Sequence, residues 1–525
     1  MRRTLPPPYG FAIYEENNLK KLMIGLVVVV VLIASIPLFL LATGTIDSSS
    51  LRMVMNVMTG MGGPATSAAS VQLNYRVPEG FTLQLYASDL PKARFLRFTP
   101  DGDLLVSRPH SGDIVLLRRD ADGDGHPDAV ETLIDGLRRP LGMDFFEDWL
   151  YIAESNRIGR VPFDSNSGTL NGEYQPLIEG LTDNGNHWSK TIRIGRDNLL
   201  YLAQGSTCNI CTEEDHRRAT MMRFQLDGSE PETLATGLRN SVGFDWAPWS
   251  GELYATDNGR DLLGDDFPPC ELNRIEQNHF YGWPYFNGDN IPDPDMGADP
   301  LSAQRKPTAP AHDFRAHNAP LGMTFLAPEG LPAQYQRSAL VALHGSWNRS
   351  DPDGYKVVSL HWSDNGIEER DFLTGFNLDG NIRGRPVDVA QGPDGAIYIS
   401  DDYAGAIYRV SYGQDSAASS PVLAIPTVDR LDAQAPSWLA EADLAAMANR
   451  GGELYQHHEC RSCHEQGENP KLLGGLSERL GYKAVIEVLK APQSPMPIYP
   501  LSEIEQRELA VFLLRPPHED VNTIK

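Results

Sequence analysis

Arg139–Glu154 reads RPLGMDFFEDWLYIAE, and Arg385–Asp402 reads RPVDVAQGPDGAIYISDD. Each is an apolar strand, a short turn rich in Asp, Gly or Pro, and a second strand of the L-Y-apolar-Ala/Ser type. The phrase recurs at Phe95–Ser107, Trp188–Gln204, Arg239–Asp257 and Ala319–Trp347. A further strand comes next, as at Gly159–Phe163 and Ala406–Val410. Recurrence every ~40–80 residues is the mark of an architecture built by radial repetition. The expected fold is mainly β, a six-bladed β-propeller with several short strands per blade. A β-sandwich would not repeat one two-strand phrase in this way. Long insertions such as Leu262–Arg315 are expected as loops on one face.

The chain has 525 residues with 45 basic and 70 acidic side chains, a net charge of −25. That excludes a general nucleic-acid binder, which needs a basic face. Leu22–Ala42 (LMIGLVVVVVLIASIPLFLLA) carries no charge, and its length suits a helix crossing the hydrocarbon core. Arg2, Arg3, Lys20 and Lys21 precede it, so the positive-inside rule exports the chain beyond residue 45. The run is longer than a signal-peptide core and no A-x-A site stands directly after it. The expected organisation is a cytoplasmic N-terminus (1–21), a transmembrane anchor (22–42) and a Ser/Gly/Met-rich tether (43–70). The propeller (71–412), a Ser/Ala/Pro linker (413–436) and a small α-helical domain (437–525) complete it. The expected place is the bacterial inner membrane, single-pass, with both domains facing the periplasm.

The α domain carries Cys460-Arg-Ser-Cys463-His464, the C-x-x-C-H signature of covalent haem c. Two thiols one turn apart add to the haem vinyls while His464 reaches the iron. A bare C-x-x-C would also suit a redox disulfide or half a zinc site; the adjoining His and the exported position favour haem. Met496, in Ser494-Pro-Met-Pro497, is the expected sixth ligand, with His457 and His458 as rivals. Leu501–Leu514 is helical in pattern, with Ser502 and Glu505 spaced as a capping box. The segment resembles a class I cytochrome c domain.

In the propeller, Asn186-His187, Arg239-Asn240 and Arg383-Gly-Arg385 stand at blade starts. Convergent guanidinium groups suit a ligand with several carboxylates, and a neighbouring His suits a general base. Asp120, Asp122, Asp124, Asp128 and Glu131 fall at positions 1, 3, 5, 9 and 12 of an EF-hand-type loop with Gly125 at 6, predicting calcium in a hairpin loop. Cys208 and Cys211 are spaced for a short disulfide in an oxidising compartment, leaving Cys270 over; a copper or zinc site from the three is the weaker reading.

The phrases Gly185-Asn-His-Trp188, Gly205-Ser-Thr-Cys-Asn-Ile-Cys211, Gly237-Leu-Arg-Asn-Ser-Val-Gly243 and Asp257-Asn-Gly-Arg-Asp261 lie in order along this region. Tyr281-Gly-Trp-Pro284, His344-Gly-Ser-Trp-Asn-Arg349 and Arg383-Gly-Arg-Pro386 complete the set. From about Tyr75 to Tyr412 the chain resembles the quinoprotein sugar dehydrogenases, especially the L-sorbosone dehydrogenase-like branch related to soluble glucose dehydrogenase. The resemblance implies pyrroloquinoline quinone (PQQ) as cofactor and His187 as the base for the substrate hydroxyl. It implies that Arg239 polarises the quinone carbonyl beside Asn240, and that Arg383 and Arg385 hold cofactor carboxylates. Arg349 stands where the family's glucose enzymes place a lysine. Those enzymes tie the cofactor down with calcium through a Gly-Pro pair; the matching pair here is Gly259-Arg260, a departure. The acidic residue beside the catalytic His is replaced by Asn186, a second departure.

The expected function is therefore a membrane-anchored periplasmic dehydrogenase. It oxidises a sugar, aldehyde or alcohol with PQQ and passes electrons through haem c to a respiratory acceptor. The rival is a tethered cytochrome whose propeller is a non-catalytic binding scaffold. A calcium-dependent lactonase propeller would leave the fused haem unexplained.

Overall fold

A computed structural model describes residues 63, 65–378, 380–413, 444–458, 460, 482–490 and 501–514. The chain divides into two compact units, Met1–Ser420 and Pro421–Lys525.

Each two-strand phrase forms the first two strands of one blade, and six blades result. Blade 1 is Leu96–Phe98, Leu104–Arg108, Asp113–Leu117 and Val130–Ile134; blade 2 is Met143–Phe146, Trp149–Ala153, Ile158–Asp164 and Gln175–Ile178. Blade 3 runs Lys190–Ile194, Leu200–Gln204, Thr220–Phe224 and Glu232–Thr236, and blade 4 Ser241–Trp246, Leu253–Asp257, Cys270–Ile275 and His312–Phe314. Blade 5 is Pro320–Phe325, Ser338–Leu343, Lys356–Ser363 and Gly366–Leu373. Blade 6 takes Pro386–Gln391, Ile397–Asp401 and Ala406–Tyr412 from the end of the propeller and Phe81–Ala87 from its start, paired antiparallel from Phe81↔Tyr412. A helix, Ala68–Asn74, N-capped by Ser67, leads into that strand across the tether boundary expected at residue 70.

The cores lie between blades, one per interface. In blade 1, Leu104 and Val106 face blade 6 while Leu105 faces blade 2; in blade 2, Leu150 and Ile152 face blade 1 while Tyr151 and Ala153 face blade 3. Second strands are therefore apolar at nearly every position, being buried on both sides. Outer strands such as Val130–Ile134 are largely exposed.

Innermost strands crowd at the axis, where Gly recurs. A Cβ at Gly243 would lie 2.3 Å from the Leu321 carbonyl of the next blade, and one at Gly322 would lie 1.9 Å from Asp388 Oδ1. Asp144, Asp245 and Asp388, on blades 2, 4 and 6, accept the backbone N–H of Ile194, Phe325 and Leu96 on the next blades round the ring at 2.7, 2.9 and 2.9 Å. Three blade junctions are thus tied by a carboxyl, buried at Asp144 and Asp388 and half-buried at Asp245.

In the C-terminal unit, helix Leu444–His457 packs on Glu503–Leu513, with Tyr482–Lys490 beside it. Gly451 sits at the crossing, where a Cβ would lie 2.2 Å from the Glu508 carbonyl. Tyr455, Val485, Leu489, Leu509 and Ala510 form the core. The capping box is present: Ser502 accepts the Glu505 N–H, and Glu505 accepts the Ser502 N–H at 2.8 Å. The expected anchor 22–42, the residues Cys463 and His464, and Met496 lie outside the described residues. Among the described residues no helix is long and apolar enough to cross a membrane.

Candidate active site

Each innermost strand starts, and each second strand ends, on the same face of the propeller. The residue closing the second strand reaches back to the loop that opens the first. Asp257 accepts the backbone N–H groups of Arg239 (2.9 Å) and Asn240, and Asp401 accepts that of Arg385 (2.9 Å). Glu154 does the same for Arg138. This repeat holds Arg239, Asn240 and Arg385 at that face, where His187 and Arg383 also stand in loops that open innermost strands.

His187 Nδ1 lies 3.0 Å from the Ser206 carbonyl and 2.9 Å from its hydroxyl. A proton on Nδ1, donated to that carbonyl, leaves the Nε2 lone pair for a ligand. Burial, with Arg239 adding to it, lowers the pKa of His187 to about 3, so the ring is neutral at ordinary pH. Its loop is held by two buried cations spent on carbonyl oxygens. Arg218 donates to the carbonyls of Gly205, Thr182, His187 and Ser206. Lys190, pushed down to about 7 by burial, donates to those of Thr182 (3.1 Å) and Trp188 (2.9 Å). Arg139 stacks on Trp188 at 4.6 Å and donates to Asp183.

Arg239 is 4% exposed. Its Nε donates to the Asn209 carbonyl, Nη1 to the Asn258 carbonyl, and Nη2 to Asn209 Oδ1 and Asp261 Oδ2. Four of about five N–H groups are used, so Arg239 offers a ligand its charge and one donor. Asn240 Oδ1 is buried without a hydrogen-bond partner, and so is Arg383 Nε. Arg385 donates to the carbonyls of His344 (3.1 Å) and Gly345 (3.0 Å) and lies 5.7 Å from the centre of the Tyr355 ring. Among the described residues neither Arg383 nor Arg385 is ion-paired. Asp402 is instead bound by Arg94 (2.6 Å) and His344 (2.9 Å). Burial lowers the pKa of Lys92 and of His110, with the charge of Arg94 adding to it and that of Asp402 opposing it. The face thus gathers Arg383 and Arg385, neither ion-paired among the described residues, with an unsatisfied Arg383 Nε–H, donors that suit a carboxylate-bearing ligand.

Arg349 sits differently from its expected role. It donates to the carbonyls of Asp265 and Ala316 (3.2 Å) and pairs with Asp266 at 3.1 Å, so it ties two loops together. The adjacent Asn348 has both amide atoms buried without a hydrogen-bond partner. At Gly259-Arg260, the Arg260 guanidinium binds Asp293 and Asp295, while the nearby Asp257 and Asp261 are bound to backbone N–H groups and to Arg239. The carboxylates that would attract a cofactor-tying calcium are thus already engaged.

The Asp120 loop joins the third and fourth strands of blade 1, on the opposite face. Oxygens of Asp120, Asp122 and Asp124 lie within 4.8 Å of one another. Asp128 accepts the Ala121 N–H at 3.2 Å, whereas Glu131 pairs with Arg118 at 2.9 Å, drawing the twelfth-position carboxylate into an ion pair. The hairpin loop is pinned to blade 6 by Gln84 and His126. Cys208 and Cys211 form the expected disulfide, and Cys270 is free and buried.

A family model described as a domain of unknown function, DUF7133, matches residues 67–420. The chain belongs to that family. This DUF7133 protein is 30% identical over 363 residues to an uncharacterised protein of Borreliella burgdorferi, a match covering 66% of this chain and 93% of that one. It is 25% identical over 417 residues to the pyrroloquinoline quinone-dependent pyranose dehydrogenase of Coprinopsis cinerea, covering 66% of this chain. It spans 56% of that enzyme's length. A solved structure of a Trichoderma reesei carbohydrate-active enzyme of family AA12 superposes with a TM-score of 0.58 at 20% identity, covering 65% of this chain and 98% of that one. At that identity the likeness shows the fold.

Proposed function

We propose that this DUF7133 protein is a PQQ-dependent dehydrogenase acting on a sugar, aldehyde or alcohol. The observation that carries the reading is a neutral His187 with a free Nε2, on a face where Arg383 and Arg385 have no carboxylate partner among the described residues. The relative from Coprinopsis cinerea, named for PQQ and pyranose, supports it. The residues fit such a cofactor: Arg383 and Arg385 would hold its carboxylates, and the orphaned Arg383 Nε–H would gain an acceptor. When bound, the quinone accepts hydride from the substrate carbon.

The chain supplies the rest. His187 Nε2 takes the proton from the substrate hydroxyl while Ser206 holds Nδ1–H and so fixes the tautomer. Burial chiefly depresses His187, and an electron-rich oxygen brought beside Arg239 would offset the part that the guanidinium charge adds. Arg218 and Lys190 keep its loop in place. In the C-terminal unit, Cys460 follows helix Leu444–His457 and packs, half-buried, against the helical core. We take Cys460 and Cys463 as the thiols that would hold haem c, with His464 and Met496 as the side chains that would bind its iron, and bound haem would supply electron transfer to a respiratory acceptor. Residues 22–42 would hold the chain in the inner membrane, facing the periplasm. The Asp120, Asp122 and Asp124 loop is a calcium site in this reading, with a structural role.

The test is the full chain loaded with PQQ and assayed for dye-linked oxidation of aldoses, with a peroxidase stain on a denaturing gel for covalent haem. His187→Ala should cut single-turnover quinone reduction ~10²–10⁴-fold with cofactor affinity kept. An unchanged rate in folded, loaded His187→Ala removes the base and returns weight to a binding scaffold.

A further inference from the structure

The loop between the second and third strands of blade 3 holds a device that the proposed chemistry leaves unused. The Cys208–Cys211 disulfide closes a small ring, and Asn209 lies inside it. Asn209 binds the Arg239 guanidinium twice, through its carbonyl (3.1 Å) and its Oδ1 (2.8 Å). It also spans to Asp261, accepting its N–H at 2.8 Å and donating to its carbonyl at 3.0 Å, and it accepts Trp283 Nε1–H at 3.2 Å. The same ring reaches the base: the Cys208 carbonyl accepts the Ser206 hydroxyl at 2.7 Å, and that hydroxyl lies against His187 Nδ1. Beside it, Glu213 accepts the Thr207 N–H and, at 2.8 Å, the Thr207 hydroxyl, which leaves the disulfide as the covalent tie across the turn.

We propose that the Cys208–Cys211 disulfide gates the site: closed, it holds Asn209 on Arg239; opened by a dithiol, it frees Asn209 and lets the Arg239 guanidinium turn away from the ligand, weakening its binding. In the opening step the dithiol gives two electrons and two protons and becomes a disulfide, while the Cys208–Cys211 bond breaks to two thiols. Asn209 supplies two of the four bonds that orient Arg239. Without them the guanidinium keeps Asp261 and the Asn258 carbonyl, and it turns toward the carboxylate that remains. Opening the ring also restores backbone freedom to residues 208–211, which disfavours the ordered turn. Asn209 is a positioning residue, and the effect on ligand affinity rests on the anion-site reading above.

The experiment separates the two. Phenylglyoxal modification of Arg239 in the cofactor-free full chain, followed by peptide mass mapping, reports the clamp alone. Hydrogen bonds to a charged group contribute ~1.5–3 kcal/mol, so Asn209→Ala and the Cys208→Ser/Cys211→Ser double variant should react about tenfold faster or more. Asn209→Asp keeps the acceptor and should stay slow. PQQ titrations by tryptophan quenching should show a matching loss of affinity. Dithiols reduce quinones, so the reduced form is alkylated and desalted before titration. Wild-type reactivity in the folded Cys double variant overturns the gate, even if Asn209→Ala reacts fast. If a variant does not fold, Asn209→Asp and the alkylated wild type decide: equal reactivity of Arg239 in reduced and oxidised chain also overturns it. If reactivity rises as expected but wild type binds no PQQ, the gate stands and the cofactor reading falls.

Discussion

Burial acts in opposite directions on two neighbours in this site. It drives the His187 imidazole down to about 3 and the Asp257 carboxyl up to about 7. Asp257 holds the N–H groups of Arg239 and Asn240, so its protonation bears on both site residues directly. An unfolded carboxyl titrates near ~4, so between there and about 7 the folded chain keeps a proton that the unfolded chain has lost. Its stabilising contribution therefore declines as pH rises through that window. Asp257→Asn retains one acceptor for two N–H groups and should cost ~1–3 kcal/mol at pH near 5. That cost should shrink by pH near 8, as urea unfolding at the two values would show; a cost that grows with pH would contradict the raised pKa. At this scale the sequence reveals the groups that stand at blade starts, His187, Arg239, Asn240, Arg383 and Arg385. Arg218, Lys190 and Asn209 were not legible, because their partners are backbone carbonyls or a guanidinium several loops away, and carbonyls leave no trace in residue identity. Arg349 went the same way, since its partners lie in the Asp265-Asp266 loop of another blade.

Among elements, the first two strands of every blade could be read because burial on both sides keeps them apolar and the turn between them short. Outer strands could not: Gly366–Leu373 alternates with solvent and Val130–Ile134 is mostly exposed, so few apolar positions mark them. The Gly in the first strand of the phrase has a steric reason. Gly322 has no left-handed backbone to demand glycine; what demands it is the next blade, whose Asp388 would lie 1.9 Å (Oδ1) and 2.7 Å (Cα) from a Cβ at this position. Asp388 also holds the Leu96 N–H, so the added methyl would disturb blades 5, 6 and 1 together. Gly322→Ala should cost ~1–3 kcal/mol or more in denaturant unfolding, the range for overpacking. Gly330→Ala, with nothing within 4 Å of its Cβ, isolates the backbone cost at a φ of +79°. If the two lose equally, crowding at the axis is not what selects Gly322.

For the whole molecule, six blades could be counted from the repeat, but their closure could not, since the strand that completes blade 6 lies before the first phrase. Phe81–Ala87 pairs with Ala406–Tyr412 at the far end of the propeller. A ring closed this way covers an edge that would otherwise present unpaired backbone groups. Phe81 is the point where the closing strand grips a second blade. Its ring meets Tyr335 at 5.4 Å and Phe372 at 5.2 Å, both in blade 5, edge to face, and Tyr412 at 5.0 Å in its own blade. Phe81→Ala should therefore cost ~3–5 kcal/mol, as for other buried aromatics, and the loss should concentrate at the seam. Hydrogen exchange should quicken in both Phe81–Ala87 and Ala406–Tyr412, while Leu104–Arg108 in blade 1 keeps its protection as long as the ring has not opened globally. Uniform acceleration in all six blades would mean that the ring unfolds as one unit with no weaker seam. Unchanged protection of Ala406–Tyr412 would mean that its pairing holds without the aromatic grip, so the backbone ladder rather than Phe81 closes the propeller.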